Sequence, residues 1–271
     1  MHNLFFNVSV ILYLIATISY FIYFVKPQKK KFQIAITLIV LAFIIHTISW
    51  AMRFYVSGYP PFVILHETLS FFAWVIVFIY LIFHAQYRIE IIGVFVSPLV
   101  SVLTIISFTL PNDITPLAPI LKSFWMPIHI TLCFLGEGIF SLAFCIGIMY
   151  LIQERQIKKK RLSTIYHRLP SLKVLDDLNY KCLTIGFPLL TLGIITGSIW
   201  AEFAWGSYWS WDPKETWSLI TWFIYAALLH GRLNVGWKGR RAAKMAILGF
   251  ICVMFTFLGV NLLLPGLHSY V

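Results

Sequence analysis

The sequence predicts an all-α integral membrane protein of about eight transmembrane helices, with both termini on the outer, periplasmic-equivalent side. Three observations predict it. Of 271 residues, 60% are hydrophobic and 11% are charged, against about 45–50% and 25% in soluble domains. Apolar stretches long enough for a hydrocarbon core of about 30 Å run at approximately 4–25, 32–52, 63–84, 89–110, 128–152, 182–204, 213–230 and 245–264. The basic residues alternate in space: 18 of the 21 Lys and Arg fall in the loops after the first, third, fifth and seventh spans, and Arg53, Lys122 and Lys214 fall on the other side. Because Lys and Arg accumulate on the cytoplasmic side, that asymmetry sets the orientation. The net charge of +11 is therefore topological, and nucleic acid is not an expected partner. The whole chain, 1–271, reads as a single polytopic domain.

In order along the chain, the first span lacks a basic leader and a small-residue cleavage site, so it reads as an uncleaved helix. Pro98 and Pro188 lie inside the fourth and sixth spans, where they are expected to kink them. The segment 111–127, rich in proline and nearly uncharged, is expected along the outer surface. The loop 153–181 carries a KKKR run, read as a stop-transfer signal that also attracts anionic lipid heads. Gly193 and Gly197 have the small-xxx-small spacing of closely approaching helices, read as packing. Cys133, Cys145, Cys182 and Cys252 are dispersed without a CxxC pair and read as small apolar filler.

The stretch WGSYWSWDPKE, 205–215, stands apart chemically. It sets Trp205, Tyr208, Trp209 and Trp211 beside Asp212, Lys214 and Glu215. Aromatic faces with a few polar groups suit a flat, conjugated ligand; aromatics alone also form belts at membrane boundaries. Asp212, Pro213 and Glu215 further read as a helix start: N-cap, first helical position and third position. The carboxylates thus have capping roles as well as candidate ligand contacts, and Lys214 faces either an anionic ligand group or Glu202 or Glu215.

Eight histidines sort by depth. His129 sits at the outer end of the fifth span and His268 in the outer tail, on the side of the tryptophans. Two imidazoles on one face can hold a six-coordinate heme iron from opposite directions. His230 lies 17 residues after Pro213, about 26 Å along a helix, near the cytoplasmic end. His46, His66 and His84 lie in or beside spans two and three. Ionisable residues there are functional candidates, with hydrogen-bonded packing as the plainer reading. His2 and His167 have no distinguishing context.

The run WGSYWSWDPKETWSLITWFIYAALLHGR, followed by GWKGRRAAK and GVNLLLPGLHSY, resembles the CcsA (ResC) cytochrome c biogenesis family. That family lies within the heme-handling proteins bearing a tryptophan-rich WWD domain. The resemblance is almost continuous over the C-terminal third and looser at WMPIHI around His129 and SGYPPFVILHETLSFF around Glu67. It implies a subunit of a cytochrome c synthase, of heme lyase type, that binds heme b non-covalently through histidine. Trp205, Tyr208, Trp209, Trp211, Asp212 and Lys214 would form its heme-presenting segment on the outer face. His129 and His268 correspond to the two outer iron ligands, and His230 to the ligand of an inner site completed by the membrane partner CcsB (ResB). The substrate implied is apocytochrome c, whose CxxCH thiols join the heme vinyls, with a thiol-reducing pathway acting indirectly. The cell (cytoplasmic) membrane is the expected location, a thylakoid membrane the alternative. Competing readings are a heme-binding carrier or regulator of heme synthesis without synthase activity, a small-solute transporter, and a redox enzyme with a cytochrome b-type heme drawing on His46, His84 and His230.

Overall fold

The computed structural model describes residues 1–114, 116–117, 121–160 and 163–264. These residues are helical with no strand among them, and they group into two compact units, Met1–Lys122 and Ser123–Val271. The all-α membrane protein expected from composition is what the chain forms.

The first unit comprises α1 (His2–Val25), α2 (Lys29–Ser57), α3 (Leu65–Tyr87) and α4 (Ile92–Thr109). The buried residues of α2 are Phe32, Ala35, Ile39, Ala42, His46, Ser49 and Arg53, alternating three and four apart, the seam of a helix packed along one stripe. The seam starts apolar and ends polar. Gly58, at φ 73°, terminates α2 in the left-handed conformation that glycine adopts without steric cost. Glu67 opens α3 by accepting from the N–H groups of Val63 (2.8 Å) and Ile64 (3.3 Å). Its other oxygen takes the Arg53 guanidinium at 2.6 Å, with both side chains buried. Arg53 also donates to the Asn112 carbonyl at 2.8 Å, which ties the segment after α4 to α2.

The second unit comprises α5 (Trp125–Lys158), α6 (Thr164–Arg168), α7 (Leu172–Trp205), α8 (Pro213–Asn234) and α9 (Arg240–Met254). A π-helical turn, Phe255–Gly259, and a last helical turn, α10 (Val260–Leu263), follow. Two expectations change here. The segment 153–181 is largely helix, not loop, because α5 and α7 each run 34 residues, about 51 Å at 1.5 Å per residue. Polar contacts hold the extensions: Gln153 Nε2 donates to the Tyr166 carbonyl, and Arg232 grips Asp176 through two nitrogens at 2.8 and 3.1 Å. Further, seven of the described helices are long and apolar enough to cross a membrane. The seventh drawn span, α8, is a 22-residue helix outside that group, since its first turns carry Lys214 and Glu215 and its last turn Arg232. Pro98 and Pro188 do lie inside α4 and α7.

Candidate functional site

In the second unit the N-terminal end of α5 lies against the C-terminal half of α7. There the ring of His129 approaches Gly193 closely enough for Nδ1 to bond the Gly193 carbonyl at 2.7 Å. A carbonyl only accepts, so Nδ1 carries the proton and Nε2 carries the lone pair, the tautomer that ligates a metal. Cys133, one turn further along α5, brings its Sγ to 3.6 Å from the same Nδ1.

Two glycines make this seat. A Cβ at Gly197 would lie 2.6 Å from the His129 ring, and one at Gly193 would lie 2.6 Å from Cys133 Sγ. The small-xxx-small pair, expected only to bring helices together, has a sharper task here. It clears the bed on which an imidazole and a thiol rest.

Trp200 continues the site. Its ring stacks beside His129 (centroids 6.2 Å, 23° between planes) and meets Trp205 edge-on at 4.9 Å. Gly206, left-handed at φ 71°, then ends α7 and turns the chain into the aromatic segment. Ser207 Oγ bonds the Trp209 carbonyl at 2.9 Å, closing a local turn. Trp209 and Trp211 pack at right angles with centroids 5.9 Å apart. Tyr208 and Trp211 are 61% and 70% exposed. Trp211 also has φ 60°, a left-handed conformation that a bulky residue adopts at a cost of about 1 kcal/mol or more. A strained, exposed indole is held out from the protein.

The start of α8 follows the expected capping box. Asp212 Oδ1 accepts the Lys214 N–H at 2.9 Å, and Glu215 Oε2 accepts those of Ser210 (2.8 Å) and Asp212 (3.2 Å). Lys214 Nζ donates to Asn261 Oδ1 at 3.3 Å, in the turn after the π segment. His230 stands at the far end of α8, exposed, with Asn234 Nδ2 at 3.0 Å from its Nδ1. The structure thus joins His129, Trp200 and Trp205, and sets Lys214 against Asn261. His268 lies outside the described residues.

A family model described as cytochrome C assembly protein matches residues 62–268. The chain belongs to this family. Cytochrome c biogenesis protein CcsA from Guillardia theta is 39% identical, with 97% of this chain and 94% of the relative covered. CcsA from Mesostigma viride is 36% identical, with 97% and 95% covered. A solved structure of cytochrome c heme lyase CcmF matches with a TM-score of 0.66 at 17% identity, over 95% of this chain and 46% of its own length; that likeness concerns the fold. The CcsA resemblance read from the tryptophan-rich stretch is therefore correct, and the chain is a multi-pass membrane protein of cytochrome c biogenesis.

Sequence reasoning missed three contributors. Trp200 and Asn261 lay inside apolar spans where a single polar or aromatic residue draws little notice. Glu137, in the middle of α5, was overlooked although an acidic residue in a span is a signal by itself.

Proposed function

We propose that this chain presents heme b for covalent attachment to apocytochrome c, as the heme-handling subunit of a cytochrome c synthase acting with the membrane partner CcsB (ResB). One observation carries the reading: His129, its tautomer fixed by the Gly193 carbonyl, lies beside an indole pair that leads into an exposed aromatic segment. His129, through Nε2, and His268 would hold the heme iron, and Trp205, Tyr208, Trp209 and Trp211 would cover the apolar faces. Asp212 holds the head of α8 in place, so that Lys214 faces the ligand's carboxylates. His230, at the other end of α8, serves an inner site with a ligand from the partner.

The chemistry supplied by the heme is a pair of vinyl groups that take up the two thiols of a CxxCH segment. This chain contributes orientation: aromatic walls exclude water from the faces and leave one edge open, and proximity does the rest. The aromatic segment 205–215 and both termini lie on the outer side of the membrane on this reading, with the chain a single polytopic domain. The readings through His46 fare worse, because both its ring nitrogens already have partners, Tyr13 OH at 3.4 Å and Ser70 Oγ at 2.8 Å.

Co-expression with CcsB and a reporter apocytochrome tests the proposal, with the reduced absorption spectrum of the purified complex recorded beside reporter maturation. Wild type is expected to carry heme and mature the reporter, and His129→Ala and His268→Ala to lose maturation. Unchanged maturation in both variants overturns the ligand assignment; heme binding without maturation by the wild-type pair overturns the synthase role.

A further inference from the structure

The far end of α8 shows two faces. The buried residues of this helix, Thr221, Tyr225, Leu228 and Gly231, recur three or four apart and mark the side turned to the bundle. His230 is exposed. Arg232, two residues further and so about 200° round the helix, has a side chain only 5% exposed. Whatever holds Arg232 inward therefore holds His230 outward.

The holder is Asp176, near the start of α7. Its two carboxylate oxygens accept from the Arg232 guanidinium at 2.8 and 3.1 Å, and its main-chain carbonyl accepts from the second nitrogen at 3.3 Å. The ring of Tyr180, one turn along α7, lies 4.8 Å from Arg232 Cζ and adds a cation–π contact. Asp176 Oδ1 also accepts the Gly239 N–H at 2.7 Å. Arg232 stands in the last turn of α8 and Gly239 caps α9, so one carboxylate grips both ends of the connection between these helices. The connection itself is tightly wound. The Gly231 carbonyl takes the N–H groups of Val235 (3.2 Å) and Trp237 (2.8 Å), and Gly236 and Gly239 supply left-handed backbone at φ 73° and 64°. The Trp237 ring folds back onto Gly231, where there is no space for a Cβ.

We propose that Asp176 is the positioning residue for His230: from α7 it locks the last turn of α8 in rotation, and so fixes the direction in which the imidazole stands out from the second unit. Resting on the heme reading above, this clamp is how the chain offers a ligand to an inner site whose other ligand comes from the partner. An imidazole on a fraying helix end samples many directions. One held on a clamped turn needs no further ordering when the ligand arrives. Asn234 Nδ2, 3.0 Å from His230 Nδ1, steadies the ring. Asp176 steadies the helix beneath it and touches no reacting atom.

Hydrogen exchange on the full-length, heme-free chain in detergent tests the clamp without reference to heme. Asp176→Ala is expected to speed exchange at the amides of residues 235–239 about ten- to hundredfold, the effect of losing hydrogen bonds to a charged group, with residues 221–228 unchanged. Asp176→Asn keeps an oxygen for the Gly239 N–H but loses the ion pair, and should fall between. An Asp176→Ala rate within twofold of wild type overturns the proposal. The complex with CcsB tests the consequence, through the difference between the reduced absorption spectra of wild type and His230→Ala. That His230-dependent signal is expected to fall about 10–100-fold in Asp176→Ala and to return in part in Asp176→Asn. A released turn with the full signal overturns the positioning role. A released turn in a complex whose wild type has no His230-dependent signal supports the clamp and overturns the inner-site reading. Should Asp176→Ala fail to fold, Arg232→Gln, which leaves Asp176 on Gly239, carries both readouts and the same outcomes decide.

Discussion

The two units treat the same ingredients in opposite ways. In the first, charge and imidazole close upon themselves: Arg53 satisfies Glu67 and the Asn112 carbonyl, His46 spends both nitrogens on Tyr13 and Ser70, and His66 Nδ1 donates to the Ser107 carbonyl at 2.8 Å. In the second, His129 commits one nitrogen to Gly193 and the neighbouring aromatics run out to exposed Tyr208 and Trp211. Polar groups that satisfy one another inside a membrane protein specify structure, whereas a histidine set among aromatics that lead to a strained, exposed indole lies beside a surface able to take a flat ligand.

The contrast is broken most severely at Arg53. Arg53→Ala strands the Glu67 carboxylate and is expected to cost about 3–5 kcal/mol, as for other broken buried pairs, read as a lowered thermal transition in detergent. Arg53→Lys should recover only part, because an ammonium lacks the fork that reaches Glu67 and the Asn112 carbonyl together.

Gly197→Ala comes next, joining stability to the site. Its methyl must displace the His129 ring, with an expected cost of about 1–3 kcal/mol and a drop in heme retention of about 10–100-fold, the size found when ligand orientation is lost. His129→Ala separates the two quantities: retention should fall to background while stability changes by about 1 kcal/mol, one hydrogen bond's worth. If His46→Ala abolishes retention equally, the choice of His129 over His46 as the ligand fails.

The smallest effect has the most telling sign. Trp211→Gly relieves the left-handed backbone and should stabilise the chain by about 1 kcal/mol, while weakening heme retention. A gain in melting temperature accompanied by unchanged retention would remove Trp211 from the site.

Much of this was legible in the residues. Apolar length revealed the helices, and Asp212-Pro213-Lys214-Glu215 revealed the start of α8 with its cap, because capping is local chemistry written within four positions. The helical extensions of α5 and α7 were not, since charged residues outside a hydrocarbon core look alike in loop and helix. His129 stood out as a candidate from its neighbourhood, but its fixed tautomer required knowing that a carbonyl 64 residues away would face it. Lys214 was expected to face an anionic ligand group, Glu202 or Glu215; its bond to Asn261 was not foreseen, and Glu215 takes three donors near the cap. Such accounting depends on contacts across the bundle, which spacing along one helix does not contain.

The glycine bed beneath His129 leaves its imidazole no slack. With no side chain to cushion the seam, a change in the spacing of α5 and α7 is passed straight to the aim of one nitrogen. Gly136 and Gly186, further down the same seam and equally tight, therefore act as remote adjusting screws. Small substitutions there should retune the ligand's environment in a protein that still folds, offering a graded handle on the site without touching any residue in it.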